Sequence, residues 1–560
     1  MNAINETFSG HHRINAKTAA LDEAHIGHIH GAFGSILQGD DGPRTNWRAR
    51  WRTLLAILGP GLIVMVGDND AGAFGTYTQA GQNYGTTLLW TLVLLVPVLY
   101  VNQEMVLRLG MVSGVGHARL ILERFGKFWG AFSVIDLFLL NALTIVTEFI
   151  GITLALDYLG LPRTLGVLAS AAIVMFAVST GNFRRFERFA VFLAFGSLLL
   201  VPVILLAHPP IGQITRDLLV PKMPEGGQLS EVMLLIIAIV GTTVAPWQLF
   251  FQQSYVVDKR ITPRFIKYER LDLCIGIAFV MIGAIAMMGF CAAIFSGQPE
   301  AGQFVDAGAV ASGLEKYTGK LPAILFALAL LDACIIGASA VSLSTAYAIG
   351  DVLSLRHSLH RKPSQAKGFY GVYFGLILLA AVLVLTPGTP LGLLTNAVQT
   401  LAGVLLPSAT VFLLLLCNDK TVLGPWVNTR WLNLFTGAVI AVLVMLSMIL
   451  TLSVLFPGIT EAQIIWILIG GSIVGAVTAI GVTIAKRFPV PGEATESSPS
   501  IAMAIDETDR HLWRMPPLDE LPPAQLTLLK RVWLIVLRAY LVVAAGLVLV
   551  RIIMLAMGQI

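Results

Sequence analysis

The sequence predicts an all-α polytopic membrane protein of about twelve or thirteen transmembrane helices, ten of them forming two inverted repeats of five. Three observations carry this. Hydrophobic residues fill 56% of the 560 positions and charged residues only 12%, a balance suited to lipid rather than to soluble domains. Apolar runs recur along most of the chain at the length of a span, about 20 residues. The first and the sixth run are each interrupted in mid-span by Gly, Pro or Asp. Interruptions in corresponding positions of two halves point to inverted repeats with a ligand site at the breaks.

Residues 1–50 are polar, lack an apolar core long enough for a signal peptide, and read as a disordered cytosolic tail. His11, His12, His25, His28 and His30 are half of the ten histidines in the chain. Their irregular spacing favours a solvated arm over a metal-binding or sensing tail.

The membrane domain is placed over 51–486. Leu54 to Val66 is apolar; Gly67-Asp68-Asn69-Asp70-Ala71-Gly72 then breaks the span, which resumes toward Trp90. Irregular backbone at this depth is tolerated only where it lines a cavity or is buried in protein, and intramembrane acids mark ion or substrate paths. Further helices are expected near 86–109, 130–158, 163–180 and 189–207. The sixth span, 232–257, is interrupted at Thr242-Thr243-Val244-Ala245-Pro246-Trp247-Gln248, where Pro246 removes a backbone donor and opens the helix near Thr242. Spans at 273–296, 321–354, 370–386 and 391–416 complete the second repeat, and two more follow at 431–457 and 462–486.

Charge placement orients these helices. Arg44, Arg48, Arg50 and Arg52 precede the first span. Basic clusters then recur in alternate loops: Arg108 to Lys127, Arg184 to Arg188, Lys259 to Arg270, and Arg356 to Lys367. The positive-inside rule puts the N-terminus in the cytosol, in the cell membrane of the host. Residues 487–530, with Pro516-Pro517 and Pro522-Pro523, read as a cytosolic linker. Residues 531–560 hold an apolar run in which Arg538 and Arg551 lie 13 positions apart, about 20 Å along a helix. Both arginines can snorkel to opposite faces, so a thirteenth span is favoured over an interfacial helix.

Several functions are excluded. Cys274, Cys291, Cys334 and Cys417 lie in apolar spans without a Cys-x-x-Cys pair, which argues against disulfides and zinc ribbons. The stretch from Gly313 to Leu321 has the wrong glycine spacing for a phosphate loop and lacks its Ser/Thr. No nucleophile–base constellation suggests an enzyme, and neither a cofactor nor a nucleic-acid partner is expected. Protein partners are not specified by the sequence.

Several motifs together resemble the NRAMP divalent-metal transporters over most of residues 50–485. They are Gly59-Pro60-Gly61, the Asp70-x-Gly72 turn, Gln79-Ala80-Gly81, Gln103-Glu104 with Arg108-Leu109-Gly110, Thr147-Glu148-x-Ile150-Gly151, and Asn418-Asp419-Lys420 through Asn428. The resemblance implies a LeuT-like fold with a metal site at the two broken helices. Departures from the pattern matter as much. The family's Asp-Pro-Gly-Asn stands here as Asp70-Ala71-Gly72-Ala73, its Met-Pro-His as Ala245-Pro246-Trp247, and its third-helix aspartate as Ile145. That combination is similar to the NRAMP-related magnesium transporters.

The resemblance makes Asp70 a metal ligand and Gln399 a residue near the metal. Asp68 adds a second charge suited to holding hydration water, and Thr242 offers a carbonyl at the sixth-span break. Ala245 is placed with these metal-site residues, and Asn69, Gly72, Ala73, Pro246, Trp247 and Gln248 line the site, with Trp247 filling vacated space. Gln248 and Gln252 share a helix face and either line a path or pack against neighbours. Asn141, Thr144 and Glu148 form a stripe at i, i+3 and i+7, a polar path or a structural network. Asp332 is open between a cation route and a local hydrogen bond.

Carboxylate, carbonyl and water suit magnesium, whereas a soft sulfur ligand suits transition metals. The expected function is therefore passive uptake of partly hydrated Mg2+, with Mn2+ accepted and no proton coupling. The alternatives are a proton-coupled Mn2+/Fe2+ importer and, from another class, an NRAMP-like membrane sensor.

Overall fold

The computed structural model describes residues 23–40, 42–224, 229–386, 391–455 and 460–485, with shorter stretches between 510 and 550. These residues are helical apart from one short antiparallel hairpin, Ile29–His30 with Ser35–Ile36. Among them, eight helices are each long and apolar enough to cross a membrane.

The first broken span is built from short pieces. Helix α1 (Trp47–Ile57) is followed by α2 (Pro60–Val66) across a 49° bend, where the sequence reading had one continuous apolar segment. Gly59 sits in the bend at φ 153°, a conformation open to a residue without Cβ, and Pro60 starts the next helix without losing a needed donor. The other half of the span is α3 (Ala71–Tyr84).

The chain continues through α4 (Trp90–Ser113), α5 (His117–Phe125), α6 (Lys127–Tyr158) and α7 (Arg163–Ser179). The fifth span is α8 (Phe183–Gly196) and α9 (Leu200–Leu206), joined by a 3-10 turn. After α10 (Ile211–Leu219) comes the second broken span, α11 (Leu229–Thr243) and α12 (Pro246–Asp258). Then follow α13 (Ile266–Phe295), α14 (Ala307–Thr318), α15 (Lys320–Val352), α16 (Lys367–Leu385) and α17 (Leu391–Cys417). A short α18 (Lys420–Leu423) leads to α19 (Arg430–Leu455) and α20 (Glu461–Ala485). The span boundaries fall close to those expected. The connecting helices α5, α10 and α14 were not anticipated, since each is too short to stand out beside the long apolar runs.

The two broken spans lie inside the bundle. Helix α13 packs along both halves of the first span, while α11 packs on α17 and α12 on α4 and α15. Small residues permit this closeness, as at membrane helix interfaces generally. A Cβ at Gly61 would lie 2.6 Å from Leu273 N, and one at Gly276 would lie 2.6 Å from Gly61 O.

Two expectations about polar segments need correction. Residues 23–40, read as part of a disordered tail, are ordered against the arginine-bearing face. Arg184 donates to the carbonyls of Gly31 and Gly34, Arg188 to Ala32, Arg260 to Ala24 and His28, and Arg264 to Asp40 and Gly42. Backbone carbonyls accept all of these bonds, so side-chain composition gave no sign of them. His11 and His12 lie outside the described residues. Part of the expected linker is also docked: Trp426 Nε1 donates to Arg510 O at 2.9 Å, and Met515 N to Val112 O at 3.2 Å. The proposed thirteenth span falls largely outside the described residues.

Candidate metal site

The two breaks are made by complementary devices. At the first, Gly67 N, Asp68 N and Asn69 N close the last turn of α2 on Ile63, Met65 and Val66 carbonyls. Asp70 then restarts the chain as N-cap of α3, its Oδ1 accepting from Ala73 N at 2.9 Å. At the second, α11 ends at Thr243, Ala245 is extended (φ −90°, ψ 144°), and Pro246 opens α12.

Side chains tie the breaks together. Gln248 Nε2 donates to Asp68 Oδ1, and Gln248 Oε1 accepts from Gln103 Nε2 at 2.9 Å. Tyr77 and Thr243 hydroxyls meet at 2.7 Å, joining α3 to α11. Trp247, fully buried, sets its ring beside Gly67, and its carbonyl accepts from Ser344 Oγ at 2.9 Å. The Gln399 side chain lies against Gly72, completing the enclosure from α17. Ala73 and Ala245 are buried and contribute only methyl groups.

Oxygen donors remain for a ligand. Asp68 Oδ2, Asn69 Oδ1, Thr242 Oγ1 and Glu148 Oε1 are buried without a hydrogen-bond partner. A buried oxygen left unpaired is costly, and these four lie at or beside the breaks, where a cation or water can satisfy them. No group of three or more His, Cys, Asp and Glu with metal-holding geometry occurs among the described residues.

The stripe on α6 divides. Glu148 Oε2 accepts from Ala71 N at 3.2 Å, which sets its carboxyl beside the residue that follows Asp70. Although Ile145 stands where the family has a second acid on this helix, Glu148 still reaches the first-span break through Ala71. Asn141 donates to Thr345 on α15 at 2.8 Å, and Thr144 bonds its own helix at Leu140 O. Those two bonds are structural ties. Asp332 lies against Gly196 of α8, while Gln252 is buried with both amide atoms unpartnered.

Sequence reading missed the fastening of α2. Asp272 accepts from Gly59 N at 3.1 Å and Gly61 N at 2.7 Å. Lys259 donates to Ile57 O at 2.5 Å and Leu58 O at 3.1 Å and pairs with Glu187 at 2.6 Å. Lys259 belongs to a basic loop cluster in the sequence, yet it is buried. Glu187 stands among Arg184, Arg185 and Arg188, and Asp272 follows Glu269 and Arg270, so both read as ordinary charges at span ends.

The family model described as natural resistance-associated macrophage protein-like matches residues 61–453. The chain belongs to the NRAMP family. Among its relatives, the divalent metal cation transporter MntH 1 of Pseudomonas aeruginosa is 30% identical over 402 residues, covering 68% of this chain and 88% of that protein. The MntH of Levilactobacillus brevis is 27% identical over 433 residues, with 72% and 90% covered. A crystal structure of the Eremococcus coleocola manganese transporter, bound to an aromatic bis-isothiourea substituted compound, superposes with a TM-score of 0.61 at 22% identity. It covers 80% of this chain and 98% of that one, so the two share a fold. This NRAMP chain is an integral membrane transporter of divalent metal cations with a LeuT-like helix arrangement, and it is not an enzyme.

Proposed function

We propose that this NRAMP transporter carries Mg2+, partly hydrated, accepts Mn2+, and runs without proton coupling in the cell membrane with its N-terminus in the cytosol. The donor set at the breaks carries the reading. Residues 67–73 and 242–248 contain no sulfur and no imidazole; their side-chain donors there are carboxylate, amide and hydroxyl oxygens. Such donors suit hard cations, and magnesium keeps several waters while binding one or two carboxylates. Asp68, with one oxygen on Gln248 and the other unpartnered, fits the role of holding a metal-bound water. Asp70 is the direct ligand, with Gln399 closing the site over Gly72.

No proton carrier is needed to drive this transport. A divalent ion gains about 4.6 kcal/mol from a 100 mV inside-negative potential, which supports accumulation by about three decades. The test is cation flux into proteoliposomes with Mg2+, Mn2+ or Cd2+ as cargo. Saturable Mg2+ entry that resists micromolar Cd2+ is expected, and Cd2+ transport in preference to Mg2+ would contradict the reading.

One observation favours a second reading, a proton-coupled Mn2+ importer. The bond from Ala71 N to Glu148 brings a second acid next to Asp70, through which a proton can pass. Acidification of the liposome lumen in step with Mn2+ entry would select it.

A further inference from the structure

A pocket on the face away from the N-terminal segment leads down to the first-span break. Its floor is Ala71 and Gly75 of α3, and its walls come from α6, α15, α17 and the start of α14. Ala71 directly follows Asp70, and its N–H is the one held by Glu148. Among the described residues Asp306 is the only charged one lining this pocket; its companions are apolar or small apart from Thr395.

The mouth is held in place. Gly302 N donates to Gln82 O at 3.3 Å, Phe304 N to Asn83 Oδ1 at 3.2 Å, and Gln82 Nε2 to Glu300 O at 2.8 Å. These bonds fix the segment before α14 to the outer end of α3. Tyr158 of α6 holds α14 through Glu315 at 2.8 Å. Lys316 is committed to Glu300 at 2.6 Å, and with Tyr317 it holds that carboxyl down at about 2. Lys316 therefore does not neutralise Asp306.

We infer that Asp306 is an entry station, drawing divalent cations from solvent into the pocket above Asp70. A single negative charge in a cleft with apolar walls focuses the field and raises the local cation concentration. The inference rests on divalent-cation transport alone and holds whichever cation is preferred, so its failure leaves the magnesium reading untouched.

Asp306 also caps α14, its Oδ1 accepting from Ala309 N at 2.8 Å. Asparagine caps a helix as well as aspartate does, so Asp306→Asn removes the charge and keeps the cap. The experiment measures initial Mn2+ and Mg2+ flux against concentration in proteoliposomes, at about 0.01 M and about 0.15 M inert salt. The Debye length falls from about 30 Å to about 8 Å between them.

Asp306→Asn should raise the half-saturating concentration about three- to tenfold at low salt, leave the maximal rate within about twofold, and lose most of its effect at high salt. Asp306→Lys should shift it further in the same direction. Glu315→Gln removes an acid that does not line the pocket and should leave the salt dependence unchanged. An unaltered half-saturating concentration in both Asp306 variants would overturn the assignment. So would a loss confined to the maximal rate, or an equal shift in Glu315→Gln.

Discussion

Gln248, in the second half of the sixth span, donates its amide to Asp68 in the break of the first. The bond joins the two halves of the fold at the proposed metal site and occupies one Asp68 oxygen, leaving the other unpartnered. Asp70 differs: it caps α3, and the residue after it, Ala71, donates to Glu148.

This difference predicts unequal consequences of charge removal. Asp70→Ala should abolish transport while leaving folded protein, because the lost cap costs only about 1 kcal/mol. Asp68→Ala should raise the half-saturating Mg2+ concentration yet retain measurable flux. Concentration-dependent flux with each purified variant is the check; complete loss at both positions would mean that both acids bind the ion directly.

Selectivity follows from Ala73 and Ala245. The double substitution Ala73→Asn with Ala245→Met adds an amide and a thioether to the site and should shift preference toward Mn2+ and Cd2+. Competition of each metal against Mg2+ flux reads this. An unchanged cation order would place the two positions outside the selective region.

The fastening of α2 yields a stability prediction. Breaking a buried ion pair from one side leaves an uncompensated charge and costs about 3–5 kcal/mol. Lys259→Met or Glu187→Leu alone should therefore lower the melting temperature in detergent strongly. The double substitution should recover part of the loss. Additive losses would show that Glu187 and Lys259 do not act as a pair.

Much of this arrangement was legible in the chain. Asp70, Pro246 and the neighbouring glycines announce both breaks, because apolar runs make any polar interruption conspicuous. What escaped notice depends on pairing across distant segments. Glu148 reads as isolated until Ala71 and Asp70 are placed beside it. Lys259 reads as one more basic loop residue until Glu187 and the Ile57 and Leu58 carbonyls surround it. The ordering of residues 23–40 rests on backbone carbonyls, which every sequence has and none displays.

The proposal that transport runs without proton coupling is tested through Glu148. With a pH-sensitive dye inside the liposomes, Mg2+ entry driven by a membrane potential should leave the lumen pH steady in the native protein and in Glu148→Gln. Acidification that follows metal entry and vanishes in Glu148→Gln would establish Glu148 as a proton route.

The central claim is that two breaks whose own side chains offer oxygen donors and no sulfur or imidazole select a hard, hydrated cation. Its most direct test is a panel of Mg2+, Mn2+ and Ca2+ fluxes through the purified native protein in proteoliposomes, each at matched membrane potential. The account predicts saturable Mg2+ influx, with Mn2+ also carried and Ca2+ poorly so. Robust Mn2+ transport with no Mg2+ entry at millimolar concentration would contradict it.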